Sequence, residues 1–293
     1  MISEPVKLKI PIIGCSKLHR GQLIKIRDFL HTKNKNIKKT EVVIEGCLGK
    51  PISIDITNPS ILDKKAVVIF SHGFKGFKDW GHFNFIAKKF AEEGFVFVKF
   101  NFSHNGTTLD SPLDFANLDA FGNNNYCVEL DDLGLVIDWV EKNLNTKKNN
   151  LPIFLLGHSR GGGISILKTH EDIRVKKLAT WSAVSDFEKR LPSDLERFKK
   201  EGVVFVPNTR THQQMPLFYQ FAENFMNNRK RLDISTTANC ISIPFLIVHG
   251  TNDEAVPVEE ARNLNKLCPH SQLLLIAGGG HTFGAAHPFV NTV

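Results

Sequence analysis

The stretch Leu151-Pro-Ile-Phe-Leu-Leu-Gly-His-Ser-Arg-Gly-Gly-Gly-Ile-Ser-Ile-Leu167 decides the fold. Leu151 to Leu156 is a short apolar run bounded by punctuating residues, the pattern of a buried strand. Gly161 to Leu167 has the spacing of a helix start. Between them Gly157-His-Ser-Arg-Gly161 fits G-x-S-x-G, a serine carried on a strand-to-helix corner. Such a corner is too tight for side chains at the flanking positions, hence the glycines. It pushes Ser159 Oγ into open space and sets the first amides of the helix, with their positive dipole end, beside it.

Strand-like and helix-like patterns alternate on both sides of this corner. Thr40–Glu45 and Ile52–Ile56 form a leading antiparallel hairpin across Gly46 to Pro51. Ala66–Phe70 is a continuous apolar run, as in a strand buried on both faces. A helix over 82–93 follows, with Phe83, Ile86, Ala87, Phe90 and Ala91 at helical spacing and Gly94 closing it. Phe95–Phe100 is a strand, 101–124 a long polar loop, and 126–144 a helix. After the corner come a strand at Leu178–Val184, a strand at Pro244–Val248, a helix at Val258–Leu267 and a strand at Gln272–Ile276. This alternation predicts an α/β protein: a mostly parallel central sheet with helices on both faces. Residues 186–240 break the rhythm with a charged stretch, the β-like Val203–Val206, a polar run and an aromatic helix through Phe218, Tyr219, Phe221, Phe225 and Met226. They are expected to form a small inserted cap on a domain spanning 40–293.

Charge is unevenly placed. Residues 1–39 carry ten Lys/Arg against Glu4 and Asp28, a net +8. The whole chain is +7, so residues 40–293 stand at −1. The basic character thus belongs to an N-terminal extension, expected to be poorly ordered, and the body gives no electrostatic footprint for nucleic acid. No apolar run has the length of a membrane span. Lys7 and Lys9 interrupt the early apolar stretch of a would-be signal peptide, so a cytoplasmic location is expected. Five scattered cysteines without a C-x-x-C pair predict reduced thiols rather than a disulfide framework or zinc site.

A serine at such a corner becomes a nucleophile only with a base, an acid to orient the base, and amides to hold an oxyanion. His281, in Ala277-Gly-Gly-Gly-His-Thr-Phe283 just past the last strand, is the base candidate, with His287 its rival. His158 points along the corner, His249 opens the acid loop and His72 belongs to the oxyanion loop. Asp253, in His249-Gly-Thr-Asn-Asp-Glu-Ala-Val-Pro257, is the acid candidate. An Asp there also serves as a turn or helix-capping residue. Asp186 and Glu254 are the alternatives. The backbone N–H groups of Arg160 and Phe74 are the oxyanion candidates. Ser, Asp and His occur in that chain order, each at the end of a predicted strand. In the cap, Gln213 and Gln214 are candidates for binding a substrate hydroxyl. Phe218 and its neighbours are candidates for an apolar or aromatic group, although burial of the cap accounts for most of those rings.

On His72-Gly-Phe-Lys-Gly-Phe-Lys-Asp-Trp-Gly81, Gly157-His-Ser-Arg-Gly-Gly162, His249-Gly-Thr-Asn-Asp253 with Val256-Pro257, and Gly280-His281, residues 40–290 resemble the α/β-hydrolase superfamily. More narrowly they are similar to bacterial serine esterases related to the prolyl-oligopeptidase, dienelactone-hydrolase and cinnamoyl (feruloyl) esterase group. The resemblance implies the α/β-hydrolase fold, Ser159 as nucleophile, His281 as base, Asp253 as its partner, no metal and no cofactor. The partner expected is a small-molecule ester. Peptidase or amidase activity on the same fold, or a non-catalytic binding role, stands as the alternative. The thiol nucleophile of dienelactone hydrolases is replaced by Ser159. Two features depart from the pattern: the basic extension, and the twelve residues after His281, too few for the helix that normally closes the fold.

Overall fold

The computed structural model describes residues 37–59, 63–144, 149 and 151–289; the basic extension expected over 1–39 lies almost wholly outside them. β1 (Lys38–Glu45) and β2 (Pro51–Asn58) form the leading hairpin, joined by a short 3-10 turn. β3 (Val67–Ser71), α1 (Phe83–Glu92), β4 (Val96–Phe100), α2 (Leu118–Gly122), α3 (Tyr126–Asn143), β5 (Ile153–His158), α4 (Arg160–Glu171) and β6 (Val175–Trp181) follow. Then come α5 (Leu195–Glu201), β7 (Val203–Asn208), β8 (Gln213–Phe218), α6 (Gln220–Asn227) and α7 (Ile234–Cys240). β9 (Phe245–Gly250), α8 (Val258–Leu267) and β10 (Gln272–Ile276) complete the order.

Eight strands form one sheet in the order β1-β2-β4-β3-β5-β6-β9-β10. The β1–β2 and β2–β4 pairs are antiparallel and the rest parallel. The strands β3, β5, β6 and β9 therefore all end on one side, where the candidate residues sit.

Side chains alternate between the faces as the pleat requires. Val67, Ile69, Ile153 and Leu155 join a core with α3, α4, α7 and α8. Val68, Phe70, Phe97 and Leu156 pack on the other face with Phe83 and Ala87 of α1. That second face is covered less completely: a groove of about 500 Å³ runs over Phe154, Leu246 and Ala179. On the edge strand β10, Leu274 is 49% exposed and Ile276 37%. A third apolar cluster lies outside the sheet. Phe198, Met215, Leu217 and Ala222 from the segment between β6 and β9 pack on Phe77, Phe115 and Phe121.

Three local expectations are corrected. The polar run at 208–214 is the tip of a hairpin: 209–212 form its turn, and Gln213–Phe218 pairs antiparallel with β7 in a two-stranded sheet of its own. Phe218 is therefore strand, and the aromatic helix begins at Gln220. Within 101–124, Asn117 caps a short helix by accepting from the Ala120 amide at 2.9 Å. The strand expected at 178–184 starts three residues earlier and ends at Trp181.

A buried charge network joins the sheet to the loop after β3. Asp55 and Lys99 face each other across the β2–β4 pair, both fully buried, with Nζ 2.5 Å from Oδ2. Lys99 also reaches Asp79 at 2.5 Å, and Lys78 reaches Asp55 at 2.9 Å and Asp79 at 2.5 Å. Burial pushes the carboxyls up, but the ammonium groups of Lys99 and Lys78 outweigh it and hold both Asp55 and Asp79 below the usual range. Each charge depends on its neighbours, so removing one leaves another buried and uncompensated. Asp55→Ala is expected to lower unfolding free energy by about 3–5 kcal/mol in urea titrations. The double variant Asp55→Ala/Lys99→Met should recover part of that loss.

Candidate active site

Ser159 sits between β5 and α4 with φ 56° and ψ −120°. This backbone conformation is sparsely populated for a residue with a side chain, costing about 1–3 kcal/mol. It persists because the corner is clamped. The Ser159 amide donates to Trp181 O at 2.9 Å, and the Ser159 carbonyl accepts from Gly162, Gly163 and Val184 amides at 3.0–3.3 Å. The loop after β3 presses against this corner. A Cβ on Gly161 would lie 2.4 Å from the carbonyl oxygens of Ser71 and His72, and one on Gly73 2.9 Å from Ser159 Cβ. Only glycine permits that approach.

His281 and Asp253 arrive on neighbouring loops, after β10 and β9. The Asn252 amide donates to Gly279 O at 2.9 Å and the Gly278 amide to Thr251 Oγ1 at 2.8 Å, tying the two loops together. His281 Nδ1 lies 2.9 Å and 3.1 Å from the Asp253 carboxylate oxygens. A carboxylate only accepts, so Nδ1 carries the proton and Nε2 is left with its lone pair. Asp253 Oδ1 also accepts from the Ala255 and Val256 amides at 3.0 and 2.9 Å, and its side chain is fully buried. Burial raises its affinity for a proton, but hydrogen bonds from His249, His281 and Val256 overcome this and hold it well below the usual carboxylate range.

Ser159 and His281 together line two cavities. One, of about 500 Å³, is bounded by Gly73, Trp80, Phe83, Asn208 and Arg210. The other, of about 650 Å³, is bounded by Tyr126, Phe187, Leu191, Val204 and Val256. Among the described residues, neither the Phe74 nor the Arg160 amide has a hydrogen-bond acceptor. Phe74 borders both cavities and Arg160 the larger.

The rival residues are engaged elsewhere. Asp186 accepts from the Glu188 amide at 2.8 Å, and Glu254 is exposed. His287 Nδ1 accepts from the Gly81 amide at 3.0 Å while its ring stacks on Trp80. His249 Nε2 donates to Val256 O at 2.8 Å and stands 3.3 Å from Asp253 Oδ2, so it buttresses the carboxylate, and His72 Nδ1 donates to Gly73 O at 2.9 Å. The three cap side chains expected at the pocket border neither cavity. Gln213 donates to Phe115 O at 3.1 Å and accepts from Thr211 at 2.7 Å, Gln214 is exposed, and Phe218 packs over Gly122.

Sequence reasoning did not anticipate two features. The Arg160 guanidinium is buried over the rings of Phe74, Tyr126 and Phe221, 4.0, 5.1 and 5.4 Å from their centres, with Nη1 3.4 Å from Glu129. His158 Nε2 donates to the carbonyl of His281 at 3.0 Å, so the residue beside Ser159 braces the loop that carries His281. The nearest sequence signal was only their adjacency to Ser159.

The architecture matches known proteins. A family model described as alpha/beta hydrolase fold matches residues 199–288. No curated protein matches the chain in sequence. Among solved structures it is similar to Est1E from Butyrivibrio proteoclasticus with ferulic acid bound: 20% identity over 83% of this chain and 92% of that one, TM-score 0.67. The esterase domain from a Rhodothermus marinus protein follows at 18% identity, 85% and 91% coverage, and TM-score 0.59. Pyrococcus horikoshii acylaminoacyl peptidase matches at 15% identity over 87% of this chain and 39% of its own, TM-score 0.59. The chain has the α/β-hydrolase fold.

His158 reports on the site through stability. Burial holds its imidazole down at about 3, against an ordinary value near 6.5. The unfolded chain therefore binds one more proton there across the interval between those values. The stability this neutral imidazole contributes is complete above pH 6.5 and is lost as pH falls toward the folded value. His158→Gln keeps a donor for the His281 carbonyl but does not titrate. Its unfolding free energy, followed by urea titration from pH 6 to pH 4, should fall less steeply than wild type by ~1.4 kcal/mol per pH unit.

Proposed function

We propose that the chain is a serine hydrolase that cleaves carboxylic esters through an acyl-enzyme on Ser159. The observation that carries the reading is the convergence of a strained, cavity-facing Ser159 with His281, whose Nδ1 is held by a buried Asp253. His281 Nε2 takes the Ser159 proton as Oγ attacks the ester carbonyl. The Phe74 and Arg160 amides stabilise the oxyanion that forms, and His281 returns the proton to the departing alcohol. Water then enters the same position, is deprotonated by His281, and releases the acid. Asp253 keeps its negative charge throughout; it fixes the tautomer and stabilises the imidazolium.

A second reading, amide or peptide cleavage, is favoured by one observation: an acylaminoacyl peptidase is among the structural neighbours. The same groups serve both reactions, and pocket contacts decide between them.

A fluorophosphonate probe should place one adduct on Ser159, mapped by peptide mass spectrometry. Turnover of 4-nitrophenyl butyrate should fall about 10⁴-fold or more in Ser159→Ala and about 10³–10⁴-fold in Asp253→Asn, with melting temperatures recorded for each variant. An unlabelled Ser159 in folded protein sinks the reading. Faster cleavage of the matching butyryl anilide than of the ester selects the amidase alternative.

A further inference from the structure

The two cavities that meet at Ser159 share an electrostatic character that ester hydrolysis itself does not require. Their linings contain Lys75, Arg160, Arg190 and Arg210, and no Asp or Glu. Three of these cations have carboxylates behind them. Arg190 is bonded to Glu260 and donates to Ala255 O at 3.3 Å. Arg160 stands 3.4 Å from Glu129, and Arg210 3.6 Å from Asp114.

Lys75 differs from them. It is half-buried and borders both cavities. Its Nζ donates to Pro207 O at 2.9 Å and forms no ion pair among the described residues. That carbonyl uses one of three N–H donors and supplies no charge. Asp253, the carboxylate that holds His281, lines neither cavity; it is fully buried and already accepts from His281, Ala255 and Val256. Burial pushes the Lys75 ammonium below its ordinary value, so the cation gains from an anion brought in from outside. The backbone does not favour a lysine at this place, because φ is 54° there, a region that glycine and asparagine enter more readily. Lys75 also directly follows Phe74, whose amide faces Ser159 in the proposed mechanism. An anion on Lys75 is therefore anchored within the same loop that meets the reacting carbonyl.

We propose that the substrate class of this site is an ester bearing a free carboxylate, held by Lys75 where the two cavities join while the ester carbonyl lies at Ser159. The proposal rests on the hydrolase reading above. A charge-assisted hydrogen bond from a partly desolvated ammonium is short and stronger than a neutral one. It acts on binding and orientation and weakens as salt rises.

Two matched pairs test this. Mono(4-nitrophenyl) adipate against 4-nitrophenyl hexanoate puts the carboxylate on the acyl side. 4-Acetoxybenzoate against its methyl ester puts it on the alcohol side. In at least one pair kcat/KM for the anionic member should exceed that for the neutral one by about tenfold. Lys75→Met should bring that ratio to within about twofold of unity, whereas Lys75→Arg should retain most of it. Because each ratio is taken within one protein, a general loss from a displaced loop cancels. Equal or reversed preference in both pairs overturns the proposal, as does a preference that Lys75→Met leaves intact. If no ester turns over and Ser159 takes no fluorophosphonate, the hydrolase reading fails on its own. Calorimetric titration of monomethyl adipate then decides the anion site: binding lost in Lys75→Met supports it, and no binding to wild type overturns it.

Discussion

Backbone meets backbone at the corner between β5 and α4 more closely than side chains would allow. A Cβ on Gly157 would fall 2.3 Å from the Gly161 carbonyl oxygen, and one on Gly161 would strike the end of β3. This contact sets two things at once. It lets α4 turn back immediately over the sheet, where it packs between α3 and α7. It also brings the loop after β3 against Ser159, so the free amides of Phe74 and Arg160 border the same space. The strained φ and ψ of Ser159 follow from the same contact: a relaxed backbone would withdraw the side chain from the cavities.

The loop after β3 is held at its other end by charge. Lys78 and Asp79 complete a buried network with Asp55 of β2 and Lys99 of β4, and the Lys78 amide donates to Asn101 at 2.6 Å. Residues 73–77 are thus stretched between a steric clamp at the elbow and an ionic clamp beneath the antiparallel strands. Buried ion pairs contribute little net stability against apolar replacements, but they tolerate few alternative arrangements. Here that selectivity falls on the segment that carries Phe74 and Lys75.

Most of the sheet was legible because its strands are short apolar runs between turn residues. Helix 258–267 and strand 272–276 match their sequence-based bounds. What escaped had weak local signal. β8 is Gln213-Gln-Met-Pro-Leu-Phe218, with a polar start and a proline, and it forms only because β7 offers a partner. α7 is seven residues rich in Ser, Thr and Asn, stabilised by the Asp233 cap and by packing on α4. Ser159, His281 and Asp253 could be singled out because each follows a recognisable strand. The expected pocket side chains could not, since which face of an inserted hairpin meets a cavity depends on register. Gln213 and Gln214 are turned to Phe115 and to solvent, and aromatic rings from β3–α1 and α3 take the places beside Ser159.

β10, which delivers His281, is the last strand of the sheet, and β9, which delivers Asp253, lies between it and β6. Among the described residues β10 pairs only with β9, and Leu274 and Ile276 on it stay substantially exposed. Ser159, by contrast, follows the central strand β5 and is surrounded by core. Local opening begins where few apolar contacts resist it. Fraying of that edge therefore displaces the His281 imidazole first, while Ser159 remains in a folded centre. The proposed reaction would then be lost on heating in a sub-global step, before the sheet melts.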